Sequence, residues 1–210
     1  DEYGGSFENR MRFGAEVLEA VRAAVGEDYV VGMRISGDEL IEGGSTPEEC
    51  LDIGRYYTER KLVDFLSVLG GSGTTYRHYS VFIPNMAQPP APFLYLASAM
   101  RQAVDVPVFH AQKIADIETA ARAVAEGHVD MAAMTRAHIA DPHMVRKLTE
   151  GREADIRPCV GASYCYSRVV AGQDTLCMYN VATSREAHIP HEHPRAPEPR
   201  RVVVVGAGPG

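Results

Sequence analysis

The chain has 210 residues, a net charge of −7 and 45% hydrophobic residues. That is enough apolar material for one sizeable core, and the acidic balance argues against a nucleic-acid surface, which needs basic patches. No apolar run approaches the roughly 20 residues needed to cross a bilayer.

The N-terminal string Asp1-Glu2-Tyr3-Gly4-Gly5 is charged and glycine-rich, unlike a signal peptide. There is no initiator Met, and the chain stops inside the glycine motif Gly206-Ala207-Gly208-Pro209-Gly210, so it reads as a fragment cut at both ends. Phe13, Val17, Leu18 and Val21 sit at helical spacing and predict an amphipathic helix of roughly 17 residues. The β-branched run Tyr29-Val30-Val31-Gly32-Met33-Arg34-Ile35 predicts a buried strand. Thr46-Pro47-Glu48-Glu49 is a helix start, with a capping threonine, proline in the first turn and acids facing the positive helix end. A second strand is expected over residues 64–69, then a long loop rich in Pro, Gly and Tyr over Gly70–Pro92, and a helix over about 94–103. A third strand at 106–110 precedes a helix at 117–126, and a fourth at 131–135 precedes one at 141–150.

This strand–helix alternation implies an α/β fold with a parallel sheet, either doubly wound or closed into a barrel. Periodicity leaves the two open. In both, chemistry gathers at the C-terminal ends of the strands. The polar residues there are Arg34, Ser36, His110, Gln112, Lys113, Thr135 and Arg136, with Gly70 and Gly71 beside them. An arginine at a strand end is costly to bury unless it meets an anion, and a salt bridge at the sheet rim is the plain alternative. Residues 151–185 are irregular and hold Cys159, Cys165 and Cys177, while Cys50 stands apart. Clustered thiols without an export signal point to metal in a cytoplasmic protein rather than to a disulfide framework. Residues 186–200 carry three His and four Pro and read as a linker. Val202-Val203-Val204-Val205 reads as a buried strand leading into Gly206 and Gly208, a phosphate-binding turn of the dinucleotide-binding type.

The string Asp1 to Phe13 is by itself a polar turn leading into a helix, but it closely resembles the signature of the old yellow enzyme family of flavin oxidoreductases. There it follows the fourth barrel strand. Val31-Gly32-Met33-Arg34-Ile35-Ser36 resembles the family's fifth strand, and Met134-Thr135-Arg136-Ala137-His138-Ile139-Ala140-Asp141-Pro142 its eighth strand and following turn. The resemblance covers nearly the whole chain. It implies that residues 1–150 are the C-terminal half of a (β/α)8 TIM barrel that binds FMN. Arg34 would contact the flavin ring and Arg136 the phosphate, where two parallel donors can grip an anion. Family members usually carry glycine at the positions of Gln112 and Thr135; here side chains stand at the phosphate site, and Lys113 supplies further charge. In such relatives the loop at 70–92 brings an acid or a histidine over the flavin. His78 is the nearest candidate for acid–base work, with Tyr79 placed almost as well; a solvent-exposed loop histidine is the plain alternative.

Cys159-Val160-Gly161-Ala162-Ser163-Tyr164-Cys165, followed by Cys177, resembles the cluster motif of the family's long-chain branch, which includes trimethylamine dehydrogenase and 2,4-dienoyl-CoA reductase. That branch uses four cysteines on a 4Fe–4S cluster. Ala162 occupies the second ligand position and cannot bind iron. A 4Fe–4S cluster with a non-cysteine ligand, a 3Fe–4S cluster and no cluster remain open. The implied organisation is half of an FMN barrel (1–150), an iron–sulfur segment (151–185), a linker (186–200) and the first strand of a Rossmann-type domain (201–210) that would take FAD or NAD(P). The expected activity is oxidative N-demethylation of a methylated amine. The alternatives are NAD(P)H-dependent reduction of an enoate or dienoyl-CoA, and a degenerate, non-catalytic flavin barrel. Partners are expected to be small-molecule substrates, with no nucleic acid and no membrane, and self-association is left open.

Overall fold

The computed structural model describes residues 2–206. Helix α1 spans Phe7–Val25; Ser6 caps it by accepting a hydrogen bond from Asn9 N, and Gly26 at φ +85° ends it. It buries Met11, Ala15 and Leu18. Of the stripe expected from the sequence only Leu18 lies inward. Phe13, Val17 and Val21 form a second apolar row, exposed to solvent with Phe13 at 66%.

Strand β1, Gly32–Asp38, begins three residues later than expected. Tyr29 and Val30 lie outside it because their segment is held by side chains rather than by a strand. Arg22 donates to Tyr29 O at 2.7 Å, and the Asp64 carboxylate accepts both Arg22 Nη2 and Val31 N. Helix α2, Pro47–Glu59, starts as read, with Thr46 Oγ1 accepting Glu49 N. Strand β2 is Phe65–Gly70. The expected long loop contains a helix, α3, Tyr76–Phe82, capped by Thr75. Helix α4, Leu94–Ala103, strand β3, Val108–His110, and helix α5, Ile117–Ala125, follow the expected order.

The fourth repeat differs from its expectation. Strand β4 is only Met131–Ala132, and the residues read as its end start a helix, α6, Thr135–Ala140. Its partner β3 offers only Phe109 and His110 as register positions, so the chain leaves the sheet early. The single helix expected at 141–150 is shortened to α7, Met144–Thr149, after a turn at Pro142 and His143. A 3-10 turn, Glu153–Asp155, and helix α8, Tyr164–Val170, interrupt the segment read as irregular.

The strands pair in the order β1-β2-β3-β4, every pair parallel. Ile35, Leu66, Val68 and Val108 meet Leu96, Ala97 and Met100 of α4 in one core. This is half of a TIM barrel, with strand C-termini gathered at one rim. Val202–Val205, read from the sequence as a buried strand, pair with no strand among the described residues and are largely exposed. Among the described residues no helix is long and apolar enough to cross a membrane.

Candidate functional site

A cavity of about 330 Å³ opens at the C-terminal rim of the sheet. Strand β1 contributes Arg34, the turn after β3 contributes Gln112 and Lys113, and α6 contributes Thr135 and Arg136. Apolar walls come from Ile83, Ile139 and Val169. All five barrel residues that the resemblance assigns to the cofactor thus meet in one space. The cavity holds three cations and no lining carboxylate. Among the described residues, none of Arg34, Lys113 and Arg136 forms an ion pair with an acid, so the rim salt bridge is not what they make.

Their partners are neutral. Arg34 Nε donates to Ser67 Oγ at 3.3 Å. Arg136 Nη1 donates to Pro84 O at 2.8 Å and to Ser163 Oγ at 3.4 Å. Lys113 stands at φ +53° and donates from Nζ to Gln88 O. Burial, and then the Arg136 charge, hold its ammonium below the ordinary lysine range. Two cations that repel each other without an acid between them suit an anion, and an apolar-walled slot beside them suits a planar ring. The residues therefore fit a phosphorylated flavin.

Gln112 behaves differently from its expected role. Its Oε1 accepts Gly70 N at 2.6 Å, while Nε2 donates to Gly70 O at 2.7 Å and Phe82 O at 2.8 Å. The amide is saturated by backbone and ties the end of β2 to the end of α3. Its direct service to a phosphate would require breaking that clamp.

The α3 candidates lie away from the cavity lining. His78 Nδ1 is hydrogen-bonded to Thr74 Oγ1 at 2.8 Å, and the residue is half-buried rather than loose in solvent. Tyr79 packs its ring 6.1 Å from that of Tyr166, which does line the cavity. Burial first, and Tyr79 second, raise the Tyr166 phenol above its usual range. Sequence reasoning missed Tyr166, because its role rests on a contact 87 positions away in the chain. His110, at the end of β3, is fully buried and belongs to the core; Nδ1 bonds Val68 O at 2.9 Å, and burial pulls its pKa down.

The three clustered cysteines line one small cavity beside the first, and Cys165 lines both. Burial raises the Cys165 thiol, an effect partly countered by the Tyr166 backbone N–H. Cys177 Sγ accepts Tyr179 N at 3.4 Å. Cys50 is buried in α2, its thiol pushed up to about 11. Among the described residues no three His, Cys, Asp or Glu side chains are placed to hold a single metal ion. A cluster makes a different demand, since it spreads soft thiolates over several irons. Three thiols around a common space fit that donor set.

A buried polar network ties both ends of the cysteine segment to the barrel. The Asp141 carboxylate accepts Lys147 Nζ at 2.5 Å and Arg157 N at 3.0 Å, just before Cys159. Asn180, just after Cys177, donates to Ile139 O at 2.9 Å and accepts Arg157 Nη1 at 3.4 Å. Gly206 is exposed at φ +122°, and Gly208 lies outside the described residues.

The family model described as NADH:flavin oxidoreductase / NADH oxidase matches residues 1–155. N,N-dimethylglycine/sarcosine dehydrogenase of Chromohalobacter salexigens is 51% identical over 100% of this chain and 30% of its own length. A probable N-methylproline demethylase of Rhizobium meliloti is 46% identical over 99% of this chain and 30% of its own. Among solved structures, a 2-naphthoyl-CoA reductase in complex with 2-naphthoyl-CoA superposes with a TM-score of 0.82 at 33% identity, covering 90% of this chain and 28% of that one. The chain thus spans about 30% of the length of the curated relatives it matches.

Proposed function

Because the chain belongs to the NADH:flavin oxidoreductase / NADH oxidase family, we propose that the complete protein is an FMN- and iron–sulfur-dependent oxidoreductase that removes a methyl group oxidatively from a secondary or tertiary amine. The observation that carries this reading is the arrangement of two adjoining cavities. One is cationic and apolar-walled, the other is lined by three thiols, and Cys165 stands in the wall of both. FMN, when bound, supplies the acceptor for the hydrogen and electron pair taken from the amine's methyl carbon. Lys113 and Arg136 would hold its phosphate and Arg34 its ring, with Thr135 beside the phosphate. Gln112 would fix the loop bearing α3. Of the α3 candidates, Tyr79 is favoured over His78, because it touches Tyr166 at the cavity. Cys159, Cys165 and Cys177 would hold the cluster, to which electrons pass from the flavin. Residues 186–206 would lead to a downstream domain that binds FAD or NAD(P).

The relatives named for dimethylglycine, sarcosine and N-methylproline support an N-methylated amine as the substrate class. A second reading, reduction of a conjugated double bond, is favoured by the likeness to the naphthoyl-CoA reductase. The two are separated by assaying the full-length protein for formaldehyde release from N-methylated amines and for NAD(P)H-dependent loss of an enoyl-CoA. Formaldehyde from the amines supports the proposal. Turnover of the enoyl-CoA alone replaces it with the second reading. A purified protein without flavin would favour the degenerate barrel.

A further inference from the structure

Residues 186–193, read from the sequence as the start of a linker, are held against the barrel. Glu192 forms an ion pair with Arg146 of α7. The His191 ring stands perpendicular to that of His143, the residue before α7, with centroids 5.7 Å apart. His191 Nδ1 meets Asn180 Nδ2 at 3.3 Å.

The other bonds of Asn180 fix which way its amide points. The residue is 1% exposed. Its Oδ1 accepts Ala182 N at 3.1 Å and Arg157 Nη1 at 3.4 Å. Its Nδ2 carries two hydrogens. One goes to Ile139 O at 2.9 Å, which leaves the other for His191. A flipped amide would set Nδ2 against Ala182 N and Oδ1 against Ile139 O, pairing like with like. His191 Nδ1 is therefore an acceptor, and the docked imidazole is neutral with its proton on Nε2.

A second proton has only Nδ1 to occupy, and there it would point at the Asn180 N–H. Glu186 Oε1 lies 3.9 Å from Nε2, on an exposed side chain that already accepts Ser184 N. A pair there returns little, whereas the Asn180 N–H left without an acceptor is buried. The neighbouring charges do not reverse this balance. Arg146 is paired with Glu192 and Lys147 with Asp141, and Arg157 holds the other end of the Asn180 amide. His143 adds repulsion once both imidazoles are charged.

We propose that His191 is the catch of a pH-sensitive strap. Neutral, it holds residues 186–193 against Asn180 and α7; charged, it lets them go. Arg185 and His193 also wall a cavity of about 360 Å³ together with Arg157 and Cys177. Release takes His193 out of that wall and uncovers the outer face of the cysteine segment. Neither flavin nor metal enters into it.

The test is amide hydrogen exchange on the full-length protein at about pH 8 and about pH 5.5, a range in which histidine changes charge, with rates corrected for the intrinsic effect of pH. The amides of Arg185, His188 and Ile189, bonded within the turn that begins the strap, report docking, and α4 reports the global fold. Wild-type protection of the strap should fall on the order of tenfold at the lower pH, as loss of one buried hydrogen bond implies, with α4 unchanged. His191→Gln, whose Oε1 accepts from Asn180 and does not titrate, should stay protected at both values. His191→Lys should be open at both, and His143→Gln should keep the wild-type response. Equal wild-type protection at both values overturns the proposal, as does a loss shared by α4 or one that persists in His191→Gln. A response abolished in His143→Gln assigns the titration to His143 and overturns it too.

Discussion

Lys147 and Asp141 form the most deeply buried ion pair among the described residues. The carboxylate is fully buried and the ammonium nearly so. Burial alone would raise the Asp141 pKa, but hydrogen bonds from Lys147 Nζ and from the Arg157 and His143 backbones outweigh it, and the net shift is downward. Removing one partner of a buried pair leaves an uncompensated charge, at a cost of about 3–5 kcal/mol. Lys147→Met should therefore lower the unfolding free energy obtained from a urea titration by about 3–5 kcal/mol. A folded pKa below the unfolded one stabilises at pH above the ordinary aspartate value of about 3.9, and the gain is lost as pH falls through the folded value. Stability should thus be steady near neutrality and fall in acid, with Asp141→Asn showing a shallower acid slope. Arg136 is the matching test on the cofactor side. Arg136→Ala removes a charge-assisted contact worth roughly 1.5–3 kcal/mol, and flavin retained after gel filtration should drop accordingly. Arg34, Lys113 and Arg136 could be read from the sequence because strand-end cations have few alternatives. Tyr166 could not, since its partner Tyr79 is distant in sequence; nor could Asp141, whose nearby partners Lys147 and His143 close on it only in the folded turn. Gln112 was legible as a residue of the rim but not as a clamp.

At the scale of elements, sequence and structure part company where helices are short. Helices α2 and α4 have length and, in α2, a Thr-Pro start that survives in any context. Helix α3 has seven residues amid Gly and Thr, too few to be stable alone. It exists because Thr75 caps it and because Gln112 holds its last turn through Phe82 O. Lys113 fastens the same loop further on through Gln88 O. Two neighbouring residues after β3 thus staple the segment that carries His78 and Tyr79. Gln112→Ala should raise amide hydrogen exchange across residues 76–83 while leaving α4 protected. Equal acceleration in both would show a global rather than a local effect. Strand β4 misled the sequence reading for the converse reason: its apolar run extends beyond the partner residues that β3 provides.

For the whole molecule, alternation of strands and helices left two parallel folds open, and the family strings chose the barrel. The structure bears out four parallel strands in sequential order, but half a barrel leaves edges and faces uncovered. Phe13, Val17, Val21 and Val25 make a continuous exposed apolar row on α1, of the kind that marks an interaction surface. The three-cation rim and the thiol cavity come together only through folding, as residues 34, 113, 136 and 165 converge. The account therefore stands on electron flow through that rim. Its most direct test is anaerobic addition of N,N-dimethylglycine, sarcosine or N-methylproline to the full-length protein while its flavin absorption is recorded. The account predicts that at least one of these amines bleaches the flavin band. A flavin that none of them bleaches, but that is reoxidised from its reduced form by an enoyl-CoA, would contradict it.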